Sequence, residues 1–462
     1  MRWTRACAAA ATMAAAGLLS PSAKADPQAL PSLKVQQTEL ANGLKVILHV
    51  DHTTPTVCVN LWYHVGSKDE PNARNGFAHL FEHLMFQGSK HVGEDQFFMY
   101  LERAGASDRN GTTSLDRTNY YETVPNNQLE LALWLESDRM GFLLDHVDQK
   151  TFESQRSVVL NERRQNYVDA PYGMVPQFIQ ERLYPSDHPY HNLTIGSPED
   201  LNAATLDDVR TFYKTYYVPN NATLVVAGDF DPNTTMRMVE QYFGPIPKAP
   251  QPTIADQPRP APLSGETIVE VEAAVELPRV YVTYATPAFF APGDAELDGV
   301  SQVLSNGKSS RLYKRLVYDL QIAKDLYAYQ ASNQLASRFQ IFATAKPGHT
   351  GPELLKVIDE ELERFRTSPP SAEETLRAKA NLESSLIFRV EEIGNRADMF
   401  NTYAQFTGSP DYFARDVERY RAITPASLQE AAKKYLPPTN RLVVFVEPNP
   451  AAPRAGRVKG GK

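Results

Sequence analysis

The sequence predicts an α+β protein of two homologous domains, each a mostly antiparallel sheet with helices packed on one face. Three observations predict it. First, Tyr217-Val218-Pro219-Asn220-Asn221-Ala222-Thr223-Leu224-Val225-Val226 resembles Tyr435-Leu436-Pro437-Pro438-Thr439-Asn440-Arg441-Leu442-Val443-Val444, an internal repeat 218 residues apart. Second, seven prolines lie between Pro245 and Pro262, too many for a helix or a central strand, so the stretch reads as a stiff linker. Third, strand-like runs come mixed with long amphipathic ones, which suggests helices layered on antiparallel sheets. With 42% hydrophobic and 22% charged residues in 462, the composition is globular and excludes a disordered, collagen-like or coiled-coil chain. The expected organisation is a segment 1–25 to be removed, domains 30–244 and 265–450, a linker 245–264, and a flexible tail 451–462.

The elements follow in order. Arg2 and Arg5 precede an apolar run, 6–19, too short to span a bilayer, that ends near Ala23-Lys24-Ala25. This is the pattern of a cleavable secretory signal, so the protein is expected to be exported, to a periplasm by the bacterial style of the signal. Loss of Arg2, Arg5 and Lys24 takes the formal charge from −8 to −11. No basic block interrupts the chain, which argues against a nucleic-acid partner, and no later stretch reaches membrane-spanning length. Cys7 leaves with the signal, so Cys58, in a strand-like alternation, reads as a buried apolar thiol. Segments 34–40 and 44–50 flank Asn42-Gly43, a strong hairpin signal, and 57–65 is a third strand. In the second half, 280–284 and 339–345 read as strands. Leu354, Val357, Ile358, Leu362 and Phe365 mark one face of a helix, and Ser371-x-x-Glu374 opens another with a capping box. Thr205 and Thr424 are expected N-caps of the helices preceding the two repeat copies.

The stretch that carries chemistry is Asn75-Gly76-Phe77-Ala78-His79-Leu80-Phe81-Glu82-His83-Leu84-Met85-Phe86. On a helix, His79 and His83 stand one turn apart on one face, with Cβ atoms about 5–6 Å apart. Two imidazoles at that spacing can reach one Zn²⁺ at about 2.0–2.1 Å. Glu82 projects near the same face, placed to take a proton from a zinc-activated water and return it to a leaving amine. His-x-x-Glu-His is the reverse of the His-Glu-x-x-His zinc motif. The surrounding Leu80, Phe81, Leu84, Met85 and Phe86 imply a packed helix, in which buried histidines need partners. A third protein ligand is required, and spacing alone does not choose among Glu122, Glu130, Glu136, Glu153 and Glu162.

A His-x-x-Glu-His near the start of a duplicated α/β chain resembles the pitrilysin/insulinase family of zinc metallopeptidases. The similarity is to its smaller two-domain branch, which includes the mitochondrial processing peptidase β subunit. The resemblance implies one Zn²⁺ per chain, held by His79, His83 and a glutamate in Gln155-Arg156-Ser157-Val158-Val159-Leu160-Asn161-Glu162, hence Glu162, with Glu82 as the catalytic base. Asn110-Gly111-Thr112-Thr113 resembles the family's Asn-Ala-x-Thr at the sheet edge beside the metal, which implies that Asn110 and Thr113 help hold a peptide substrate as an added strand. The family pattern also has a glutamate where Gln155 stands. Self-sufficient members carry an arginine and a tyrosine that reach the substrate carbonyl, and Val317 and Lys324 stand at those positions here. Arg311, Arg315 and Tyr327 are nearby at the wrong spacing. An oxyanion donor is worth about 10²–10³ in rate, so a paralogous subunit supplying the Arg/Tyr pair is expected, with a homodimer as the alternative arrangement. The alternative function is a non-catalytic peptide-binding or assembly subunit of the same fold. His188 and His191, around a proline, are expected to be surface-loop histidines.

Overall fold

The computed structural model describes residues 30–71, 73–253, 259–261 and 263–460; the expected signal segment lies outside them. The first half runs β1 (Gln36–Glu39), β2 (Lys45–Val50), β3 (Thr56–Tyr63), α1 (Phe77–Leu84), α2 (Gln96–Arg103), β4 (Asp108–Thr113), β5 (Thr118–Pro125), α3 (Leu129–Phe142), α4 (Gln149–Arg163), α5 (Val175–Leu183), α6 (Pro198–Ala203), α7 (Leu206–Tyr216), β6 (Ala222–Gly228) and α8 (Pro232–Phe243). The second half runs β7 (Glu266–Ala273), β8 (Arg279–Thr286), α9 (Asp294–Ser305), β9 (Ala323–Ala331), β10 (Ser337–Ala345), α10 (Gly351–Thr367), α11 (Ala372–Arg389), α12 (Ile393–Thr407), α13 (Phe413–Arg421), α14 (Pro425–Tyr435), β11 (Arg441–Pro448) and β12 (Arg457–Val458).

Each half builds one six-stranded sheet, ordered β1-β2-β6-β3-β5-β4 and β12-β7-β11-β8-β10-β9. Pairing is antiparallel except β2 with β6 and β7 with β11, so the fold is α+β with mostly antiparallel sheets. Asn42-Gly43 turns the β1–β2 hairpin, with Gly43 at φ +88°, where a Cβ would be strained. The two repeat copies are β6 and β11 with the helices before them. Thr205 and Thr424 cap α7 and α14, and Ser371 with Glu374 forms the expected box on α11.

One face of each sheet carries its own half's helices over a large apolar core. The other face receives a helix from the other half. Val175 and Ile179 of α5 pack on β7, β8 and β11, while α12 lies on β3 and β6. Phe400 of α12 meets His49 at 5.0 Å, Asn401 donates to the Asn60 carbonyl at 3.1 Å, and Arg396 pairs with Asp51. This exchange of helices fixes the two sheets against each other.

Two expectations need correction. The described part of the tail, 451–460, is not loose: β12 pairs with β7, and Ala452 and Ala455 are buried. It pairs because β7 would otherwise present an open edge. His188 is not a surface histidine either. Its ring is buried against Tyr184, bonds the Arg259 carbonyl at 2.8 Å and accepts from the Tyr190 N–H at 3.0 Å. Proline stops a helix there, yet the loop is covered by residues 259–261 of the linker, with Leu335 and Ala336 of the second half in the same cluster. Cys58 is fully buried, and burial pushes its thiol far up.

Candidate metal centre

The site begins with α1. Its buried face, Phe77, Ala78, Leu80, Phe81 and Leu84, fills the first core, and Phe81 stacks on Phe212 and Tyr217. The opposite face presents His79, Glu82 and His83. The helix starts at Gly76, at φ +99°, where a Cβ would stand 3.0 Å from the Gly196 Cα. Glycine is therefore required and no side-chain cap can come from that residue. Glu70 supplies it instead, accepting the Gly76 and Ala78 N–H groups at 2.9 Å each. Near the other end, the Tyr120 hydroxyl donates to the Phe81 carbonyl at 3.1 Å.

Glu162 arrives on α4, which packs along α1. The helix widens into a π turn over Arg164–Val168 just beyond it. Arg163 is buried and donates to the Gly196 carbonyl at 3.0 Å and to Gln177 at 2.9 Å, which fixes the rotation of the helix end carrying Glu162. One Glu162 carboxylate oxygen lies 3.3 Å from His83 Nε2 and 3.7 Å from His79 Nε2. One donor atom from each of the three residues falls within 4.8 Å of the others. Donors about 2.0–2.1 Å from a tetrahedral ion stand about 3.3–3.4 Å apart, so this set fits a zinc-sized cation. Burial, and then the neighbouring His83, push the His79 pKa down to about 4, which keeps its imidazole neutral and able to ligate. His79 Nδ1 is buried without a hydrogen-bond partner among the described residues.

Glu82 is held from the side. Its Oε2 accepts the Thr113 hydroxyl at 2.6 Å, and burial, opposed by that bond, pushes its carboxyl up. A raised carboxyl beside the candidate metal site suits a group that must gain and release a proton. Gly111 brings β4 close, since a Cβ there would stand 3.1 Å from Glu82 Cγ and 3.0 Å from the Phe86 ring.

β4 is the free edge of its sheet. From the bond of Ser114 N–H to the Arg117 carbonyl, the antiparallel ladder alternates so that Arg109, Gly111 and Thr113 turn their backbone groups outward. Asn110 Oδ1 accepts the Gly111 N–H at 2.9 Å, occupying a donor that an added strand would use. Asn110 thus sits at this edge but does not touch Glu82, whereas Thr113 does.

The other glutamates stand elsewhere. Glu122 and Glu136 are buried with Arg139, whose Nε donates to Glu136 at 2.9 Å. The Arg139 guanidinium stacks 4.2 Å from Tyr120 and 4.3 Å from Phe97. Burial and Glu136 push the Glu122 carboxyl far up. Glu130 accepts from Tyr242 and Glu153 from Gln149, both at the surface. Sequence reading missed Glu70, Tyr120 and Arg163; the carboxylate six residues before Gly76 was the one available signal.

In the second half Val317 packs against the core and Lys324 is exposed on β9. Arg311 is committed to Glu374 at 2.7 and 2.8 Å, and Arg315 to Glu360 and Glu361. Tyr327 is exposed on β9, the free edge strand.

Residues 45–193 match the family profile described as insulinase (peptidase family M16), and residues 203–382 match the profile described as peptidase M16 inactive domain. The chain belongs to the M16 peptidase family. Among similar M16 proteins, the zinc protease PqqE of Helicobacter pylori is 28% identical over 421 residues, covering 90% of this chain and 93% of that one. A protein of Arabidopsis thaliana named probable mitochondrial-processing peptidase subunit beta is 23% identical, covering 88% and 77%. The crystal structure of a protease from Helicobacter pylori superposes with a TM-score of 0.84 at 27% identity, covering 90% of this chain and all of that one. No helix among the described residues is long and apolar enough to cross a membrane.

Proposed function

We propose that the protein is an exported zinc-dependent endopeptidase in which His79, His83 and Glu162 hold one Zn²⁺ and Glu82 is the catalytic base. The observation that carries this reading is the convergence of the three donor atoms within 4.8 Å, on two helices, beside a carboxylate aligned by Thr113. The zinc protease name of the Helicobacter relative agrees with it. Zinc bound there would act as a Lewis acid and lower the pKa of water to about 7.

The chain's own groups do the rest. An unfolded peptide adds along the outward backbone of Arg109, Gly111 and Thr113, displacing the Asn110 side chain from the Gly111 N–H. Glu82 then takes the proton of the attacking water on its carboxylate and passes it to the leaving amine, while the Thr113 hydroxyl keeps the carboxylate turned toward the cleft.

A partner chain completes the site in this reading. Val317 packs half-buried against the core, Lys324 faces solvent, and Arg311 and Arg315 are tied in ion pairs, so no arginine in this stretch is free to steady the oxyanion. The signal pattern at the start of the chain supports export, and a periplasm is the compartment proposed.

Glu82→Gln tests the chemistry. The variant is expected to bind zinc in a one-to-one ratio and to lose hydrolysis of unfolded peptides. Retained hydrolysis removes Glu82 from its role, and absence of zinc from the purified wild-type chain favours a non-catalytic binding subunit. Hydrolysis by the isolated chain at a rate unchanged by any second subunit refutes the partner.

A further inference from the structure

We propose that Arg109 makes the cleft selective for peptides carrying an acidic side chain within about two residues of the cleaved bond. The proposal rests on the reading above, that substrate adds as a strand to β4.

In such a pair the side chains of residues directly opposite each other share a face of the sheet. Gly111 and Thr113 mark the face that looks onto α1, since one abuts the Glu82 side chain and the other bonds its carboxylate. Arg109 is on the same face by the two-residue period, about 6.6 Å along the strand from Gly111. Its backbone also turns outward. The substrate residue it pairs with therefore presents its side chain beside the guanidinium, one alternate position from the residue opposite Gly111.

The guanidinium is placed to receive a carboxylate. Its carbon lies 5.9 Å from the Phe98 ring centre, and that ring stacks on Phe86 at 4.6 Å. Phe86 in turn lies against Gly111. A guanidinium held beside an aromatic face leaves its N–H groups open to a carboxylate, which can take two of them. Among the described residues its one ionic partner is Glu102, at the 4.0 Å limit, with the Glu102 side chain 76% exposed. A pair so long and so wet is weak, so a substrate carboxylate at direct contact displaces it at little cost. The neighbouring carboxylate, Asp108, belongs to the opposite face of the strand and does not compete.

The test uses zinc-loaded protein carrying Glu82→Gln, so that binding is read without turnover or a second subunit. Short unstructured peptides, neutral except for one glutamate or one lysine moved along the chain, are titrated by fluorescence anisotropy. At one position the glutamate peptide is expected to bind about fivefold more tightly than the lysine peptide. Arg109→Ala should remove that difference, and Arg109→Glu should reverse it, with circular dichroism and zinc content unchanged. Equal binding of both series, or a preference that Arg109→Glu leaves in place, overturns the role of Arg109 while leaving strand addition intact. Failure of every peptide to bind overturns strand addition at β4, and the selectivity with it.

Discussion

The carboxylate of Glu70 sets the start of the helix that bears both histidines, and its removal offers a measurement independent of turnover. A helix leaves its first N–H groups without partners. In α1 those of Gly76 and Ala78 end on Glu70 at 2.9 Å each, and residue 76 can carry no side chain to replace it. Glu70→Gln keeps the shape but has one carbonyl oxygen for two donors, so one N–H faces an amide nitrogen. Leaving one buried N–H without its acceptor costs about 2–3 kcal/mol. Divided by 1.36 kcal/mol per decade, that is about a 30- to 150-fold rise in opening of the first turn of α1. Hydrogen exchange of a peptide covering 76–84, followed by mass spectrometry with zinc chelated, reads the opening locally and needs no two-state unfolding. Added zinc should restore most of the protection, because an ion bridging α1 to α4 resists the same opening. Exchange in Glu70→Gln within about threefold of wild type, below roughly 0.7 kcal/mol, refutes the view that Glu70 anchors the helix.

Two further outcomes are expected. Thr113→Val removes the hydroxyl on Glu82 without changing side-chain volume much, and kcat/KM should fall about ten- to a hundredfold at constant zinc content; Thr113→Ser should recover most of it, and a zinc loss or an unchanged rate contradicts the alignment role. Asp298 accepts from the Tyr420 hydroxyl at 2.9 Å, and burial, then the adjacent Asp294, push its carboxyl up to about 7. Between the ordinary carboxylate range and pH 7 the folded chain therefore holds a proton that the unfolded chain has released. That contribution is complete in acid and is lost as pH rises through about 7, by an amount on the order of a few kcal/mol. Asp298→Asn should flatten this decline and raise the denaturation midpoint at pH 8, and an unchanged pH profile of the midpoint counts against it.

What could be read from the chain alone was what short stretches decide. Asn42-Gly43 turns a hairpin, and Ser371 with Glu374 caps a helix, because both devices close within a few residues. The same holds for His79, Glu82 and His83, which one helical turn brings together. Glu162 is different. Its approach to the histidines depends on α4 lying along α1 and on Arg163 reaching Gly196, contacts that no local pattern encodes. The exchange of α5 and α12 was illegible for the same reason. Each carries apolar residues that bury against a sheet, but nothing in their sequence says whose. The tail was misread because its partner, the edge of β7, lies 185 residues away at the Arg457–Glu272 contact. His188 is buried because the linker, 71 residues further along the chain, folds back over its loop, which no local pattern encodes.

The duplication explains why the candidate site lies in one half. Gly76 and Gly293 start α1 and α9 in the same left-handed conformation, φ +99° and +102°. Counting from them, Glu296, Gly299 and Val300 stand where the first half has His79, Glu82 and His83. Gly299 is pressed by Leu428, whose methyl would lie 2.6 Å from an added Cβ, so α14 occupies the space a catalytic side chain would need. Around α9 the polar groups have been spent on packing instead. Asp294 accepts from Arg419 at 2.8 Å, and Tyr420 donates to Asp298, tying α9 to α13. A second metal centre would require undoing both the ion pair and the contact with α14. Divergence of the second half toward support thus accounts for the proposed single zinc. With α9 closed by its own packing and Arg311 and Arg315 held in ion pairs, the 310–324 stretch offers no free arginine, and the proposed partner would supply the charge opposite Glu82.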